Sequence, residues 1–299
     1  MIIVTHTDLD GICSAALFIR KHGNKVEIKY ASINEAKELH QSGFSPDYTC
    51  DLPKIGRSIN IDHHKSNYEN LLANNRISED DLINFTAPSA TDLVFRHLEF
   101  LNDPIALQIR ELGNLADTAQ LPKEYKPLDV IVNMNSSNYV ILRDISALLA
   151  LEGKNILKTE WLTSQHEQVA TIYSETQLKI DSFIKKNQIF PRILILDTRG
   201  KINEKLAKEV FEPFFKFNIA IIALIYIKTP DEPLKVSLRV KKSEQENYDV
   251  SLVAKALNGG GHRMAAGCNP NPQNFPLNLI NELKKIKKPT DSLETIILE

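Results

Sequence analysis

The sequence predicts an α/β protein: an N-terminal doubly wound, mostly parallel sheet, a connecting helix, and a smaller C-terminal α/β domain with a mixed sheet. Three observations predict it. Short apolar runs alternate with helix-period stretches through the first 120 residues, the pattern of βαβ units. One amphipathic stripe then occupies residues 158–186, and a second α/β alternation follows it. A length of 299 residues suits two domains of roughly 150 residues each.

Ile2-Ile3-Val4 reads as a buried strand, followed by a helix with apolar positions at Ala16, Leu17 and Ile19. Residues 26–31, 47–50 and 58–61 are the next strands. Helical patterns cover 89–101 and 104–115, the second opening on Pro104, which suits a first helical turn. Over 158–186, Leu162, Val169, Ile172, Ile180 and Phe183 recur at helical spacing. Strands at 193–196 and 219–226 flank a helix at 203–211. Strict alternation over 234–240 puts Leu234, Val236, Leu238 and Val240 on one face, with Lys235, Ser237, Arg239 and Lys241 on the other. A helix at 249–257 leads into Gly259-Gly260-Gly261-His262. The expected domains are 1–155 (catalytic and metal-binding), 156–188 (connecting helix) and 189–299 (substrate-binding).

Composition narrows the function. With 42% hydrophobic and 25% charged residues, wholesale disorder is excluded. A net charge of -2 argues against a broad electrostatic clamp on a long duplex, while leaving room for short oligonucleotides. Cys13, Cys50 and Cys268 form no CxxC pair, so neither a disulfide framework nor a thiolate zinc site is expected, and a cytoplasmic location is. The opening apolar run is too short for a signal peptide, and the longest run, 219–227, is half of a membrane span. The basic run 284–288 reads as a solvated helix end.

The acids and histidines cluster after strands. His6, Asp8 and Asp10 follow the first, Asp51 the third, and Asp62-His63-His64 the fourth. Ligand sites in open parallel sheets lie beyond the strands' carboxyl ends, so these clusters should converge. On an extended segment His6, Asp8 and Asp10, two residues apart, would all face one way. Crowded carboxylates repel and shift their pKa values unless cations neutralise them. An Asp/His set without Cys suits Mn²⁺, Mg²⁺ or Fe²⁺, and two ions bridged by a carboxylate commonly serve phosphoester hydrolysis. Taken singly, Asp8 or Asp51 reads equally as a helix N-cap, the Asp-His-His triplet as a surface turn, and Asp117 as a helix-end residue. Their joint placement points to metal. In Gly259-Gly260-Gly261-His262-Arg263-Met264-Ala265-Ala266-Gly267, consecutive glycines let backbone N–H groups approach an anion, and the small residues suit a helix start beside a phosphate. Arg239 and His262 would add charged hydrogen bonds. The same glycines alone read as a helix C-cap.

At these residues the chain resembles the DHH phosphoesterase superfamily, in its RecJ-like or oligoribonuclease-like subgroup. His6-Thr7-Asp8-Leu9-Asp10-Gly11 is similar to its first motif, Asp51 to its second, Asp62-His63-His64 to its third and Asp117 to its fourth. Gly259-Gly260-Gly261-His262 with Ala265-Ala266-Gly267 is similar to the signature of the DHH-associated C-terminal domain. The resemblance implies a Mn²⁺-dependent hydrolase with two ions, Mg²⁺ being a substitute, and a substrate in a cleft between domains. It implies His6, Asp8 and Asp51 around one ion and Asp10, Asp51, His63 and Asp117 around the other. Asp51 would bridge them, His64 would touch the scissile phosphate or help hold its metals, and Asp62 would support the histidines. Arg239, Gly260, Gly261 and His262 would hold a terminal phosphate or the neighbouring nucleotide.

Only Thr7 separates His6 from Asp8, where many oligoribonuclease-type members have three residues; the spacing is closer to the RecJ-like pattern. The family's pyrophosphatases carry a different C-terminal domain, and its RecJ exonucleases are longer. The expectation that remains is an enzyme for short substrates: oligoribonucleotides, 3′-phosphoadenosine 5′-phosphate or dinucleotides, with a homodimer as one arrangement. The alternatives are a nucleotide-binding module without turnover and a replication-associated accessory protein.

Overall fold

A computed structural model of the chain describes residues 1–118, 120–227 and 234–298. The chain divides into two compact units, Met1–Val169 and Ala170–Glu299.

In the first unit, β1 (Ile2–His6), β2 (Glu27–Ala31), β3 (Tyr48–Cys50), β4 (Ile59–Asp62) and β5 (Leu82–Ile83) form one sheet. Its order is β2-β1-β3-β4-β5, and every pair is parallel. Thr5 pairs with Cys50 and Cys50 with Ile61, so β1, β3 and β4 end level with one another. Around the sheet lie α1 (Leu9–His22), α2 (Ile33–Gln41), α3 (Lys65–Ala73), α4 (Ala90–His97), α5 (Pro104–Asp117), α6 (Lys126–Met134) and α7 (Tyr139–Glu152).

Local chemistry explains where these helices start. Ser32 and Glu35 form a reciprocal capping box on α2. Asp103 accepts from the amides of Ile105 and Ala106 at the Pro104 start of α5. α1 is the central helix, buried from Leu9 to Phe18 and packed against α4, α5 and α7. Ile3, Val4, Ile12, Leu17, Phe18, Ile61 and Ile109 are fully enclosed. Burying each contributes about 1.5–3 kcal/mol.

α8 (Glu160–Lys186) is one continuous 27-residue helix, as the apolar stripe predicts. Leu162, Val169, Ile180 and Phe183 are buried on it, but Ile172 is exposed. The division between the units falls inside this helix, whereas the sequence reading sets the whole helix between the domains.

The second unit holds a mixed sheet of β6 (Ile193–Asp197), β7 (Ile221–Tyr226), β8 (Lys235–Val240), β9 (Gly260–His262), β10 (Ala265–Cys268) and β11 (Leu293–Ile297), in the order β11-β6-β7-β8-β10-β9. β6 pairs parallel with β7 and β11, and the remaining pairs are antiparallel. Ile193, Ile195, Ile221, Ala223, Val236 and Leu238 pack on one face with α10 (Val250–Ala256) and α11 (Leu277–Ile286). Leu194, Leu196, Ile222 and Leu224 pack on the other.

Two sequence expectations need correction here. The helix expected at 203–211 is a 3₁₀ segment, Glu204–Val210, followed by a single α turn, α9 (Phe211–Phe214). Its Leu206, Ala207, Val210 and Phe211 are buried all the same. The glycine run does not begin a helix: Gly260–His262 and Ala265–Cys268 are the two strands of an antiparallel hairpin.

Candidate metal centre

The three middle strands of the parallel sheet deliver the acids and imidazoles. His6 ends β1, Asp51 follows β3 and Asp62 ends β4. Strand order reverses between β1 and β3, the position at which open α/β sheets bind ligands.

After His6 the chain turns at once into α1. Gly11 is required there, because a Cβ would lie 2.3 Å from the His6 carbonyl oxygen. Asp8 caps the helix: its Oδ1 accepts from Gly11 N at 3.1 Å. Its Oδ2 lies 3.0 Å from His6 Nδ1. The N-cap reading of Asp8 and its grouping with His6 therefore both hold.

The extended reading of this segment does not. Asp10 sits in the first turn of α1, and its buried carboxylate turns to the start of α4. Oδ2 accepts from Ala90 N at 2.8 Å, and Oδ1 from Thr91 N at 2.9 Å and Thr91 Oγ1 at 2.5 Å. Asp10 Oδ2 still lies 3.8 Å from His63 Nε2.

Asp51 starts no helix. Its φ is +56°, an uncommon value for a side-chain-bearing residue, and Asp and Asn tolerate it best. Its amide donates to Ile61 O at 3.0 Å. Its two oxygens look in different directions. Oδ2 is 3.4 Å from His6 Nδ1, whereas Oδ1 is 3.6 Å from His63 Nε2 and 3.5 Å from His64 Nδ1. Oδ1 is buried with no hydrogen bond made to it.

Within the first unit three groups have their ligand atoms within 4.8 Å of one another: His6, Asp8 and Asp51; Asp51, Asp62, His63 and His64; and Asp10, His63 and Asp117. Asp117, the last residue of α5, places Oδ2 3.7 Å from His63 Nε2. The Asp-His-His triplet is no surface turn, since Asp62 and His63 are buried. Asp62 accepts from the amide of His64 at 3.1 Å, pairs with His64 Nδ1 at 2.8 Å, and accepts from Asn67 Nδ2 at 2.6 Å. It holds His64 in place from behind.

The electrostatics show a site short of positive charge. Burial, then the Asp51 and Asp117 carboxylates, push the Asp10 carboxyl well above the usual range. Burial lifts Asp117 to about 6, Asp51 and Asp8 adding to it and His63 opposing. Burial would lower the imidazoles, but the carboxylates win. His63 rises to about 10 through Asp51, Asp10 and Asp117, and His64 to about 9 through Asp62 and Asp51. His6 is raised well above its usual value through Asp8 and Asp51. Burial also works against the Asp62 carboxylate, yet its bonds from His64 and Asn67 keep its pKa low. Protons thus occupy positions where a divalent cation would balance the acids. The donor set, carboxylate oxygens with imidazole nitrogens and a buried Asp51 oxygen lacking a hydrogen bond, fits such cations.

In the second unit Arg239 on β8 pairs with Ala265 on β10, which pairs with His262 on β9. The three side chains share one face, and strand spacing separates Arg239 from His262 by roughly 10 Å. Gly261 has φ +130°, and a Cβ on it would meet Ala265 O at 2.6 Å; one on Gly259 would meet Gly267 O at 2.1 Å. Packing within the hairpin already requires glycine at both. The Arg239 guanidinium lies over the Phe211 ring at 5.3 Å and donates to Leu238 O at 3.0 Å.

Sequence reasoning missed the residues behind the site. Asn60 and the Lys54–Asp81 pair are buried next to Asp51, and Thr91 holds Asp10. Asn60 had a signal: it is an amide between Ile59 and Ile61.

Residues 196–288 match the DHHA1 domain family, in line with the resemblance of the glycine motif. Among solved structures, the pGpG-specific phosphodiesterase PggH from Vibrio cholerae aligns with a TM-score of 0.62 and 16% identity, over 95% of this chain and 98% of that one. RecJ from Thermus thermophilus in complex with Mn²⁺ aligns with a TM-score of 0.55 and 14% identity, over 99% of this chain and 53% of that one. Its Mg²⁺ complex aligns with a TM-score of 0.51 and 14% identity, over 99% of this chain and 51% of that one. The chain therefore spans about half the length of RecJ. No curated protein sequence matches the chain. Among the described residues no helix is long and apolar enough to cross a membrane.

Proposed function

We propose that the chain is a metal-dependent phosphoesterase that hydrolyses short nucleotide substrates with two divalent cations, Mn²⁺ ahead of Mg²⁺. The observation that carries this reading is the Asp51 carboxylate, with one oxygen 3.4 Å from His6 and the other 3.6 Å from His63. His6, Asp8 and Asp51 would hold one ion, and Asp10, Asp51, His63 and Asp117 the other. Bound there, such ions supply Lewis acidity toward phosphoryl oxygens and acidify water. Asp51 would set the spacing of the pair. Asp10, anchored on the start of α4, would keep its carboxylate from rotating away. Asp62 fixes the His64 ring through Nδ1, so that His64 would donate a hydrogen bond to a phosphate oxygen as charge builds on it.

Arg239 and His262, with the backbone of Gly260 and Gly261, would hold a terminal phosphate through charge-assisted hydrogen bonds. A net charge of -2 favours short nucleotides over a long duplex. The specificity of PggH for pGpG, and the Mn²⁺ and Mg²⁺ of the RecJ complexes, agree with a dinucleotide-sized substrate and divalent ions. The test is metal content by elemental analysis, with turnover on a panel of short oligoribonucleotides, 3′-phosphoadenosine 5′-phosphate and linear dinucleotides. Full turnover after exhaustive chelation would refute it, and metal binding without turnover of any member would return the chain to a nucleotide-binding role.

A further inference from the structure

Asp51 can bridge two groups only if its backbone stays in the left-handed region at φ +56°, with both oxygens aimed. The chain supplies a clamp for this. Asn60, fully buried in β4, reaches across to the loop that follows β3. Its Nδ2 donates to Thr49 O at 3.2 Å and to Leu52 O at 3.0 Å, the carbonyls on either side of Cys50-Asp51. One amide group thus closes the turn from both ends. The arrangement has a cost, because Asn60 Oδ1 is buried and accepts no hydrogen bond. A buried unsatisfied acceptor is destabilising, and a fold selected for stability alone would place an aliphatic residue in a strand whose neighbours are Ile59 and Ile61.

The clamp is itself anchored. Asn60 N donates to Asp81 Oδ1 at 2.8 Å, and the same carboxylate binds Lys54 Nζ at 2.7 Å from its other oxygen. Lys54 lies three residues after Asp51, and its carbonyl accepts from Arg76 Nη2 at 2.7 Å. The loop after Asp51 is therefore tied to β4 at Asn60 and to Asp81, without any of these groups joining the ligand set.

We infer that Asn60 is a positioning residue for the bridging carboxylate: its side-chain amide holds the Thr49 and Leu52 carbonyls so that Asp51 serves two cations at once. This rests on the two-cation reading above. Asn60 touches neither substrate nor ions, so it acts only through Asp51. Because both Asp51 oxygens depend on the same turn, loosening it weakens both ion positions together.

The test is Mn²⁺ titration calorimetry on full-length Asn60→Ala and Asn60→Ser, with Ser58→Ala as the reference variant. Ser58 pairs with Thr49 through their hydroxyls at 2.7 Å in the same loop, but holds neither carbonyl. Positioning partners of ligands typically govern affinity by about 10- to 100-fold. Asn60→Ala should lose that much affinity at both positions. Asn60→Ser, whose hydroxyl reaches a single carbonyl, should fall between it and the parent, while Ser58→Ala should bind Mn²⁺ as the parent does after losing comparable melting temperature. Substrate turnover should follow in kcat, with KM nearly unchanged. Unchanged Mn²⁺ affinity in Asn60→Ala, or an equal loss in Ser58→Ala, overturns the clamp. If Asn60→Ala does not fold, Asn60→Ser decides the matter by the same comparison. A parent protein that binds no Mn²⁺ overturns the two-cation reading and the clamp with it, whereas a parent that binds two ions beside indifferent Asn60 variants overturns the clamp alone.

Discussion

Replacing Asp51 by Asn separates the bridging role from the fold. Asn tolerates φ +56° as well as Asp does and has the same size, so the turn and the amide bond to Ile61 O should survive. The chemistry changes sharply. Asn offers one oxygen acceptor and one NH₂ donor, so only one side can still receive a ligand atom. The geometry gives the consequence: one Asp51 oxygen lies 3.4 Å from His6 and the other 3.6 Å from His63, and whichever group meets the NH₂ loses both a ligand and a negative charge. Stoichiometry should drop from two Mn²⁺ to one per chain. Turnover should fall at least about 100-fold, a barrier increase of about 2.7 kcal/mol. Titration calorimetry gives the stoichiometry, elemental analysis confirms it, and an aryl phosphodiester reports turnover without engaging nucleotide-specific contacts. A variant that binds two ions with parental affinity and keeps more than about a tenth of kcat, a cost of only about 1.4 kcal/mol, would show that Asp51 bridges nothing.

Three further outcomes are expected. Asp81→Ala leaves the Lys54 ammonium buried (side-chain exposures are 4% and 1%) with no counter-charge, and should cost about 3–5 kcal/mol in urea unfolding; a loss under about 1 kcal/mol would show that the pair carries little. In the metal-free protein His63 titrates near 10 and His64 near 9, so both hold protons at pH 7.5 that a cation must displace. Mn²⁺ affinity should therefore rise with pH from 6 to 9, and calorimetry in buffers of different ionisation enthalpy should register proton release; binding without release would contradict the ligand set. Arg239→Ala and His262→Ala should each lower kcat/KM on short nucleotides by roughly 10- to 150-fold, the worth of a charge-assisted bond of about 1.5–3 kcal/mol, and leave an aryl phosphodiester nearly untouched. Equal losses on both substrates would mean that these residues serve folding or the chemical step.

What could be read without a structure was local. Apolar runs bounded by helix-period stretches located β1 to β4, and the alternation over 234–240 assigned Arg239 to the polar face of its strand, because side-chain period is written into sequence spacing. Acids at strand ends located the candidate site, since strand ends are where open parallel sheets leave a crevice. The two-residue β5 carries too little pattern to show. The glycine run illustrates the limit most clearly: as a string it suits a phosphate-binding helix start, yet it is the edge strand of a hairpin whose other strand, β10, pairs with β8, a segment well separated from it in the chain.

The sequence by itself determined which residues carry charge and imidazole, and at which strand ends they emerge. Only the tertiary structure decided how they are aimed. Asp10 turns to α4 because the Ala90 and Thr91 amides, some eighty residues away, offer a helix N-terminus that a nearby carboxylate satisfies. Asp51 lies between His6 and His63 at a turn that Asn60, from the next strand, bonds on both sides through the Thr49 and Leu52 carbonyls. Strand ends follow from periodicity along the chain, but the direction of a carboxylate follows from the hydrogen bonds it meets in space, and those partners are chosen by packing.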